Sequence, residues 1–141
     1  MIPATKHQYH PRVLVIEDEP ILQLIHNKIL TYMGFDVVIV GDPQSAINLW
    51  NEHWDLIFSD IGLPQMRGTE LCRKRREYEK SKGIYTPSFA YSAFGPTIKK
   101  ECLAAGFDGF GDKPMPHEKL YEELQKLLPK FDLIAPKSMD K

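Results

Sequence analysis

The sequence lacks a long hydrophobic run and an excess of charge of either sign. No apolar stretch approaches the roughly 20 residues that cross a bilayer, and no signal-like segment is visible, so neither a membrane span nor a signal peptide is predicted. The formal net charge of −1 provides no basic field that would attract nucleic acid. We therefore expect a cytoplasmic protein with no direct nucleic-acid partner and no membrane insertion.

Cysteine and histidine are too sparse to suggest a metal or redox site of their own. Cys72 and Cys102 lie far apart, without a Cys-x-x-Cys spacing. Free thiols are favoured, with a structural disulfide as the alternative. The five histidines show no metal-ligand spacing, and we interpret each as a surface or incidental residue: His7, His10, His26, His53 and His117.

What the chain does contain is an alternation of short apolar runs with longer segments of helical period. The runs are rich in branched and aromatic residues, as in parallel strands covered on both faces, and they occupy residues 12–16, 35–40, 55–59, 87–91 and 107–111. Helices are predicted at residues 20–33, 69–82, 96–105 and 116–128, with a further helix opening at Asp42 and Pro43. Five strand–helix units in series predict an α/β fold with a doubly wound, five-stranded parallel sheet and helices on both faces.

Some expectations are more specific. The helix that opens at Asp42 should turn Ala46, Leu49 and Trp50 inward, whereas the charge-rich helix 69–82 should be largely solvated. The folded domain should span residues 12–129, with residues 1–11 and 130–141 as tails that do not fold alone.

Polar residues collect at the carboxyl ends of the predicted strands, where open sheets of this kind carry their working site. These residues are Glu17, Asp18, Glu19, Asp60, Ser92 and Lys113. Carboxylates, together with water and a phosphoryl group, are the oxygen ligands that Mg²⁺ prefers. A carboxylate can also attack phosphorus and form an acyl phosphate, while an ammonium and a hydroxyl stabilise the phosphoryl oxygens. Asp60 is the best nucleophile because apolar strand precedes it and a turn follows it.

Each of these residues also has a plainer explanation when it is taken alone. The acidic triplet can cap the helix that follows it, and Asp60 can cap its own turn. Ser92 alone is a loop hydroxyl, and Lys113 alone is a surface lysine. Their joint placement after successive predicted strands favours the functional interpretation.

At these residues the sequence resembles the receiver domain of bacterial response regulators and hybrid histidine kinases, which has a flavodoxin-like fold. Four segments carry the resemblance in the same order, at residues 13–20, 55–64, 86–93 and 102–114. The resemblance implies that Asp60 accepts phosphate from the phosphohistidine of a histidine kinase or a histidine phosphotransfer protein. It also implies a Mg²⁺ site at Glu17, Asp18 and Asp60, with Asp18 as the more direct ligand.

The same resemblance implies a conformational switch. Ser92 falls on the switch hydroxyl and Phe110 on the switch aromatic. Their movement would change a surface made by the last two helices and the last strand, through which a downstream protein target would be contacted. Lys113 falls on the family's lysine, and its bond to Pro114 is often cis there. Two segments are more similar to receivers of hybrid kinases: the long charged segment 67–82 and the approach to the fourth strand, residues 82–87.

Several positions depart from the family pattern. Tyr91 is bulkier than the usual aliphatic residue, and Phe110 cannot donate the hydrogen bond that a tyrosine would. Gly62 and Phe94 fall on two positions that influence hydrolysis of the acyl phosphate in the family. Gly62 has no polar group to orient a water molecule, and Phe94 could shield the phosphorus. Slow self-dephosphorylation is therefore predicted.

Two other functions compete with this interpretation. The irregular segment 88–94 leaves open a receiver-like interaction module that works without phosphorylation. A haloacid-dehalogenase-like phosphatase also uses an aspartyl phosphate, but its nucleophile lies on the first strand in an Asp-x-Asp pattern, which Glu17-Asp18-Glu19 does not match. We expect a protein that is not an enzyme, beyond catalysing its own phosphorylation and slow dephosphorylation.

Overall fold

The computed structural model of the protein describes residues 9–136, and the sheet at its centre has five parallel strands. The strands are β1 (Arg12–Ile16), β2 (Asp36–Val40), β3 (Leu56–Asp60), β4 (Ser88–Ser92) and β5 (Gly109–Asp112). They lie in the order β2-β1-β3-β4-β5. This is a doubly wound order, in which the connections reverse direction beside β1, so the predicted fold class is confirmed.

Five α-helices connect and follow the strands. They are α1 (Pro20–Met33), α2 (Pro43–Ile47), α3 (Gly68–Lys82), α4 (Lys99–Ala105) and α5 (His117–Leu127), and a 3₁₀ turn (Pro96–Ile98) precedes α4. The start of α1 is fixed because the Glu19 carboxylate accepts a hydrogen bond from the amide of Ile21 at 3.1 Å. Asp42 caps α2 in the same way by accepting from the amide of Ser45 at 2.8 Å.

The core lies on both faces of the sheet because alternate residues of each strand point to opposite sides. On one face, Val13, Val15 and Phe58 pack against the inner residues of α1 and α5. On the other face, Leu14 and Ile16 pack against α2 and α3. The helices therefore cover both faces, as predicted, and leave the carboxyl ends of the strands open at one edge.

Most element bounds shift slightly from the sequence prediction, and the contacts explain the shift for two of them. Helix α2 ends at Ile47. A tighter turn follows, in which the amide of Trp50 donates to the carbonyl of Ile47, three residues earlier, at 3.1 Å. Trp50 is buried as predicted, whereas Leu49 is only half-buried. Strand β5 begins at Gly109, because the apolar Phe107 belongs to the end of α4, where its amide bonds to the carbonyl of Cys102 at 3.2 Å.

The expectation that α3 is largely solvated is wrong for two of its charged residues. Arg75 and Glu79 are 3% and 2% exposed and form an ion pair of 2.7 Å. Arg75 also donates to the Thr86 hydroxyl at 2.9 Å and to the Trp50 carbonyl at 3.3 Å. Glu79 also accepts from Arg76 at 2.6 Å. This buried network fixes the second half of α3 to the chain that precedes β4.

The packed part of the chain continues beyond the predicted boundary at residue 129. Leu133 is buried in the core, and its amide donates to the side chain of Gln125 at 3.1 Å. The amide of Ile134 donates to the carbonyl of Met33 at 2.9 Å. Residues 1–8, which include His7, and residues 137–141 lie outside the described part of the chain.

The two cysteines are free thiols, as predicted, and both are buried. Burial raises the pKa of the Cys72 and Cys102 thiols to about 11, so both stay protonated near neutral pH. Among residues 9–136, no helix combines the length and the apolar character that a membrane span requires.

Candidate functional site

The three acids that the sequence singles out meet at the carboxyl edge of the sheet. Glu17 and Asp18 follow β1 directly, and Asp60 is the last residue of the neighbouring strand β3. One carboxylate oxygen from each lies within 4.8 Å of the others. Three hard oxygen donors at this spacing fit Mg²⁺ well. Because Asp18 is exposed, water and a phosphoryl group could reach a cation held between the three carboxylates.

Glu17 is the buried member of this group, with 1% of its surface exposed. Its Oε2 accepts from the amide of Glu19 at 3.2 Å, and its Oε1 lies 3.2 Å from the Lys113 ammonium. Burial by itself would raise the pKa of Glu17, but His26, Lys113 and the amide of Glu19 outweigh it and lower this pKa to about 2. Glu17 is therefore a fixed negative charge at the base of the site.

Asp60 is more accessible, and its environment is mixed. Its Oδ1 accepts from the amide of Ile61 at 2.7 Å and lies 3.3 Å from the Lys113 ammonium. Burial raises the pKa of Asp60, Lys113 opposes this rise, and the negative Glu17 adds to it. The turn-capping explanation for Asp60 is thus partly correct, and it is compatible with a nucleophilic role because the side chain is also held against a lysine.

Lys113 reaches this site from the end of β5. Its amide donates to the carbonyl of Ser92 at 2.8 Å, which fixes the backbone, and the Lys113–Pro114 bond is cis. The ammonium lies between Glu17 and Asp60 and 5.6 Å from the centre of the Tyr91 ring. One cation therefore faces two of the three acids.

Ser92 and Phe94 line the other side of the site. Ser92 is fully buried, and its hydroxyl oxygen accepts from the amide of Phe94 at 3.0 Å. The ring of Phe94 is 54% exposed and lies 3.3 Å from the position that a Cβ on Gly62 would occupy. The guanidinium of Arg67 lies over the same ring at 5.6 Å. Phe94 therefore covers the turn that follows Asp60.

Phe110 is half-buried on β5. It packs against the cluster between the sheet and α4, which includes Ile98 and Cys102. In the sheet register Phe110 is paired with Ala90, and Ser92 is paired with Asp112. The two predicted switch residues thus lie on adjacent strands, two register positions apart.

Gly68 has a steric role that the sequence does not reveal. Any Cβ at this position would overlap the carbonyl oxygen of Asp60. The amide of Gly68 also donates to the carbonyl of Ile61 at 2.8 Å. Helix α3 can therefore begin against the backbone of the site only because residue 68 is a glycine.

The interpretation of His26 as a surface or incidental residue is wrong. Its side chain is 3% exposed, and Nε2 lies 3.5 Å from Oε1 of Glu17. The ring packs against Phe58 and Tyr91, with centroid distances of 5.0 and 5.4 Å. His26 lies on the buried face of α1 together with Ile29. The burial of His26 could therefore have been predicted from the helical spacing of the apolar residues around it.

Comparison with known proteins agrees with this geometry. The sequence model of the family described as the response regulator receiver domain matches residues 13–125. The hybrid signal transduction histidine kinase I of Dictyostelium discoideum is 32% identical over 85% of the chain, and the virulence sensor protein BvgS of Bordetella bronchiseptica is 31% identical over 95%. The chain spans only 7% and 11% of the length of these two relatives.

Solved structures show the same likeness. The receiver domain of the Pseudomonas aeruginosa sensor histidine kinase PA1611, which was solved with a magnesium ion coordinated in its active site cleft, is 26% identical with a TM-score of 0.74. The alignment covers 85% of this chain and 98% of that one. A CheY-like receiver domain protein from Methanospirillum hungatei is 25% identical with a TM-score of 0.75, over 86% of this chain and 96% of that one.

Proposed function

The chain belongs to the response regulator receiver domain family, and from this membership we propose that Asp60 takes a phosphoryl group from a phosphohistidine in a Mg²⁺-dependent reaction. One observation carries the proposal. The ligand oxygens of Glu17, Asp18 and Asp60 converge within 4.8 Å, and the Lys113 ammonium lies 3.3 Å from Asp60. A nucleophile, a site for a divalent cation and a fixed positive charge therefore meet at one point.

The chemistry assigned to the residues follows from their positions. A carboxylate oxygen of Asp60 attacks the phosphorus in line, and the bond to the donor imidazole breaks with its electron pair returning to the imidazole nitrogen. Lys113 balances the negative charge on the phosphoryl oxygens, and the Ser92 hydroxyl donates to one of them. Glu17, Asp18 and Asp60 would hold the Mg²⁺ ion, which supplies further positive charge towards the same oxygens when it is bound.

The phosphoryl group is also proposed to act as a switch. In the unphosphorylated state the Ser92 hydroxyl oxygen accepts a hydrogen bond from the amide of Phe94. After phosphorylation the same hydroxyl group would donate a hydrogen bond to a phosphoryl oxygen. The movement of Ser92 opens space for Phe110 and changes the surface of α4, β5 and α5, which a downstream protein target contacts. Support comes from the half-buried position of Phe110 beside α4.

A small phosphodonor tests the reaction directly. After incubation with acetyl phosphate and Mg²⁺, intact mass should show one added phosphoryl group, and peptide mapping should place it on Asp60. Chelation of the metal should prevent the addition, because the crowded acids lose their cation. No added phosphate in the presence of Mg²⁺ would favour the phosphorylation-independent interaction module instead. Turnover of a generic phosphatase substrate would favour the phosphatase.

The phosphodonor is proposed to be a histidine kinase or a histidine phosphotransfer protein that docks on α1. Three large apolar side chains on this helix face solvent, with exposed fractions of 65% for Ile21, 72% for Leu24 and 44% for Ile25. They follow Asp18 in the chain and therefore lie beside the phosphorylated edge. An apolar patch of this kind next to a reactive site is typical of an interaction surface.

Replacement of Leu24 by aspartate should separate docking from chemistry. Transfer from a phosphorylated histidine phosphotransfer protein should slow by about tenfold, because an anchor at an interface contributes more than about 1 kcal/mol. The rate with acetyl phosphate should stay at the wild-type value, since Leu24 lies outside the site. Both rates follow from a gel that resolves the phosphorylated form. Equal transfer rates in the variant and the wild type would exclude α1 as the docking surface.

Gly62 and Phe94 are proposed to slow the loss of phosphate. The substitutions Gly62→Asn and Phe94→Ala should each speed hydrolysis by about tenfold, which corresponds to about 1.4 kcal/mol in the barrier. The asparagine amide would orient a water molecule and displace the ring 3.3 Å away, and the alanine would expose the phosphorus.

A time course of phosphate loss measures these rates. The exposed Lys100 provides a matched control on α4, and Lys100→Ala should lose phosphate at the wild-type rate. Faster loss in the wild type than in either site variant contradicts the proposed shielding.

A further inference from the structure

His26 is a buried polar residue that the proposed chemistry does not use. It lies on the inner face of α1 beside Glu17, and only 3% of it is exposed. Within the described residues, Nε2 has no hydrogen-bond partner, although Oε1 of Glu17 is only 3.5 Å away. A buried imidazole nitrogen without a partner is unfavourable, because it has lost its hydrogen bond to water. Such a group calls for a specific explanation.

The ring of His26 is held in a defined orientation. Phe58 of β3 meets it edge to face at 5.0 Å, and Tyr91 of β4 packs against it at 5.4 Å. Tyr91 is itself fixed, because its hydroxyl oxygen accepts from the amide of Met115 at 2.9 Å. The two aromatic rings prevent the imidazole from turning away, so Nε2 stays directed at Glu17.

Tyr91 also connects the aromatic rings around His26 to Lys113. Its ring lies 5.6 Å below the Lys113 ammonium, and Lys113 contacts the same oxygen of Glu17 that faces His26. A side chain larger than the usual aliphatic residue at position 91 therefore supports both basic groups. His26 and Tyr91 therefore form one packed unit beside the acids.

Glu17 has a physical need for such support. A glutamate has one more rotatable bond than an aspartate, and an ion site requires each carboxylate at a defined position. Lys113 approaches Oε1 from the side of Asp60, whereas His26 approaches it from the interior. A shift of about half an ångström would bring Oε1 within ordinary hydrogen-bond distance of Nε2.

We propose that His26 is a positioning residue of the metal site, which donates a hydrogen bond from Nε2 to Oε1 of Glu17 and holds this carboxylate where it meets Asp18 and Asp60. The assignment rests on the proposed function, because the site it supports is the proposed Mg²⁺ site. It predicts that the donor at position 26, and not merely the volume of the side chain, sets the affinity for the cation.

Three variants separate the donor from the volume. His26→Gln keeps an N–H donor, His26→Leu fills the space without one, and Ile29→Val trims a buried neighbour on the same helix face. Isothermal titration with Mg²⁺ should show a dissociation constant raised about tenfold or more in His26→Leu, as is usual when a supporting hydrogen bond to a metal ligand is removed. His26→Gln should stay much closer to the wild type, and Ile29→Val should match it.

A measurement on the metal-free wild type supplements the titration. A long-range proton–nitrogen NMR correlation should place a proton on Nε2 of His26, and this signal should shift when Mg²⁺ is added. A bare Nε2 overturns the proposal even if His26→Leu does not fold. An unchanged Mg²⁺ affinity in His26→Leu overturns it too, as does an equal loss of affinity in His26→Gln and His26→Leu.

The outcomes also distinguish this proposal from the proposed function. If acetyl phosphate modifies Asp60 but the His26 variants bind Mg²⁺ as tightly as the wild type, only the role proposed for His26 is wrong. If the affinity depends on His26 while Asp60 remains unmodified, the metal site is supported and the phosphoryl-accepting function fails.

Discussion

Lys113→Ala should slow phosphorylation of Asp60 by acetyl phosphate by about 10²–10³-fold, the usual effect of removing one preorganised group that stabilises developing charge. The Lys113 ammonium lies 3.3 Å from Asp60 Oδ1 and is largely buried, so water cannot replace it effectively. Its loss also leaves Glu17, Asp18 and Asp60 to repel one another. The initial rate at saturating Mg²⁺, followed by intact mass, measures the effect.

Two further variants make the result interpretable. Lys119→Ala removes the same charge from an exposed position on α5 and should react at the wild-type rate. Lys113→Arg keeps the charge on a longer, planar group and should fall between the two alanine variants. A rate for Lys113→Ala within about threefold of the wild type, which is less than about 1 kcal/mol, contradicts the role assigned to the lysine.

Arg75→Met should lower the free energy of unfolding by about 3 kcal/mol, the effect expected when one partner of a buried ion pair is removed. Methionine fills much of the space but leaves the Thr86 hydroxyl and the Trp50 carbonyl without their donor. Glu79 keeps Arg76 as a partner, which limits the loss. Urea unfolding followed by the fluorescence of Trp50 and Trp54, both of which are buried, measures the change.

Arg73 provides the matched control for this experiment. It is an exposed arginine on the same helix, so Arg73→Met should change stability by less than about 0.5 kcal/mol. The double variant Arg75→Met/Glu79→Met should be less destabilised than the sum of its two single variants, because it leaves no buried charge on α3 unpaired. Equal stabilities of Arg75→Met and Arg73→Met would show that the buried network contributes little.

The sheet was predictable because its three central strands are buried on both faces and therefore occur in the sequence as largely apolar runs. Strand β1 and helix α1 have the predicted bounds. The errors in element bounds come from apolar residues that pack in a different element from the one predicted. Phe107 reads as the start of β5 but packs at the end of α4, and Leu133 reads as part of a tail but completes the core beneath α5.

The acids and the lysine of the site were predictable from their place at successive strand ends. The roles of His26, Gly68 and Arg75 do not follow from the sequence, and the reason is the same for each. Their roles depend on what another segment places beside them: Glu17 beside His26, the backbone of Asp60 beside Gly68, and Thr86 beside Arg75. Periodicity shows which face of a helix is buried, but it does not reveal the partner that makes a buried polar residue favourable.

The contact between Glu17 and Lys113 joins residues 96 positions apart in the chain. During synthesis the acids that follow β1 and end β3 are therefore made before the cation that completes their site. A growing chain that has not yet added β5 to the edge of the sheet holds repelling carboxylates, and by the proposed mechanism it should accept phosphate poorly. By the proposed mechanism, the chain therefore gains the ability to accept phosphate only after β5 has joined the sheet.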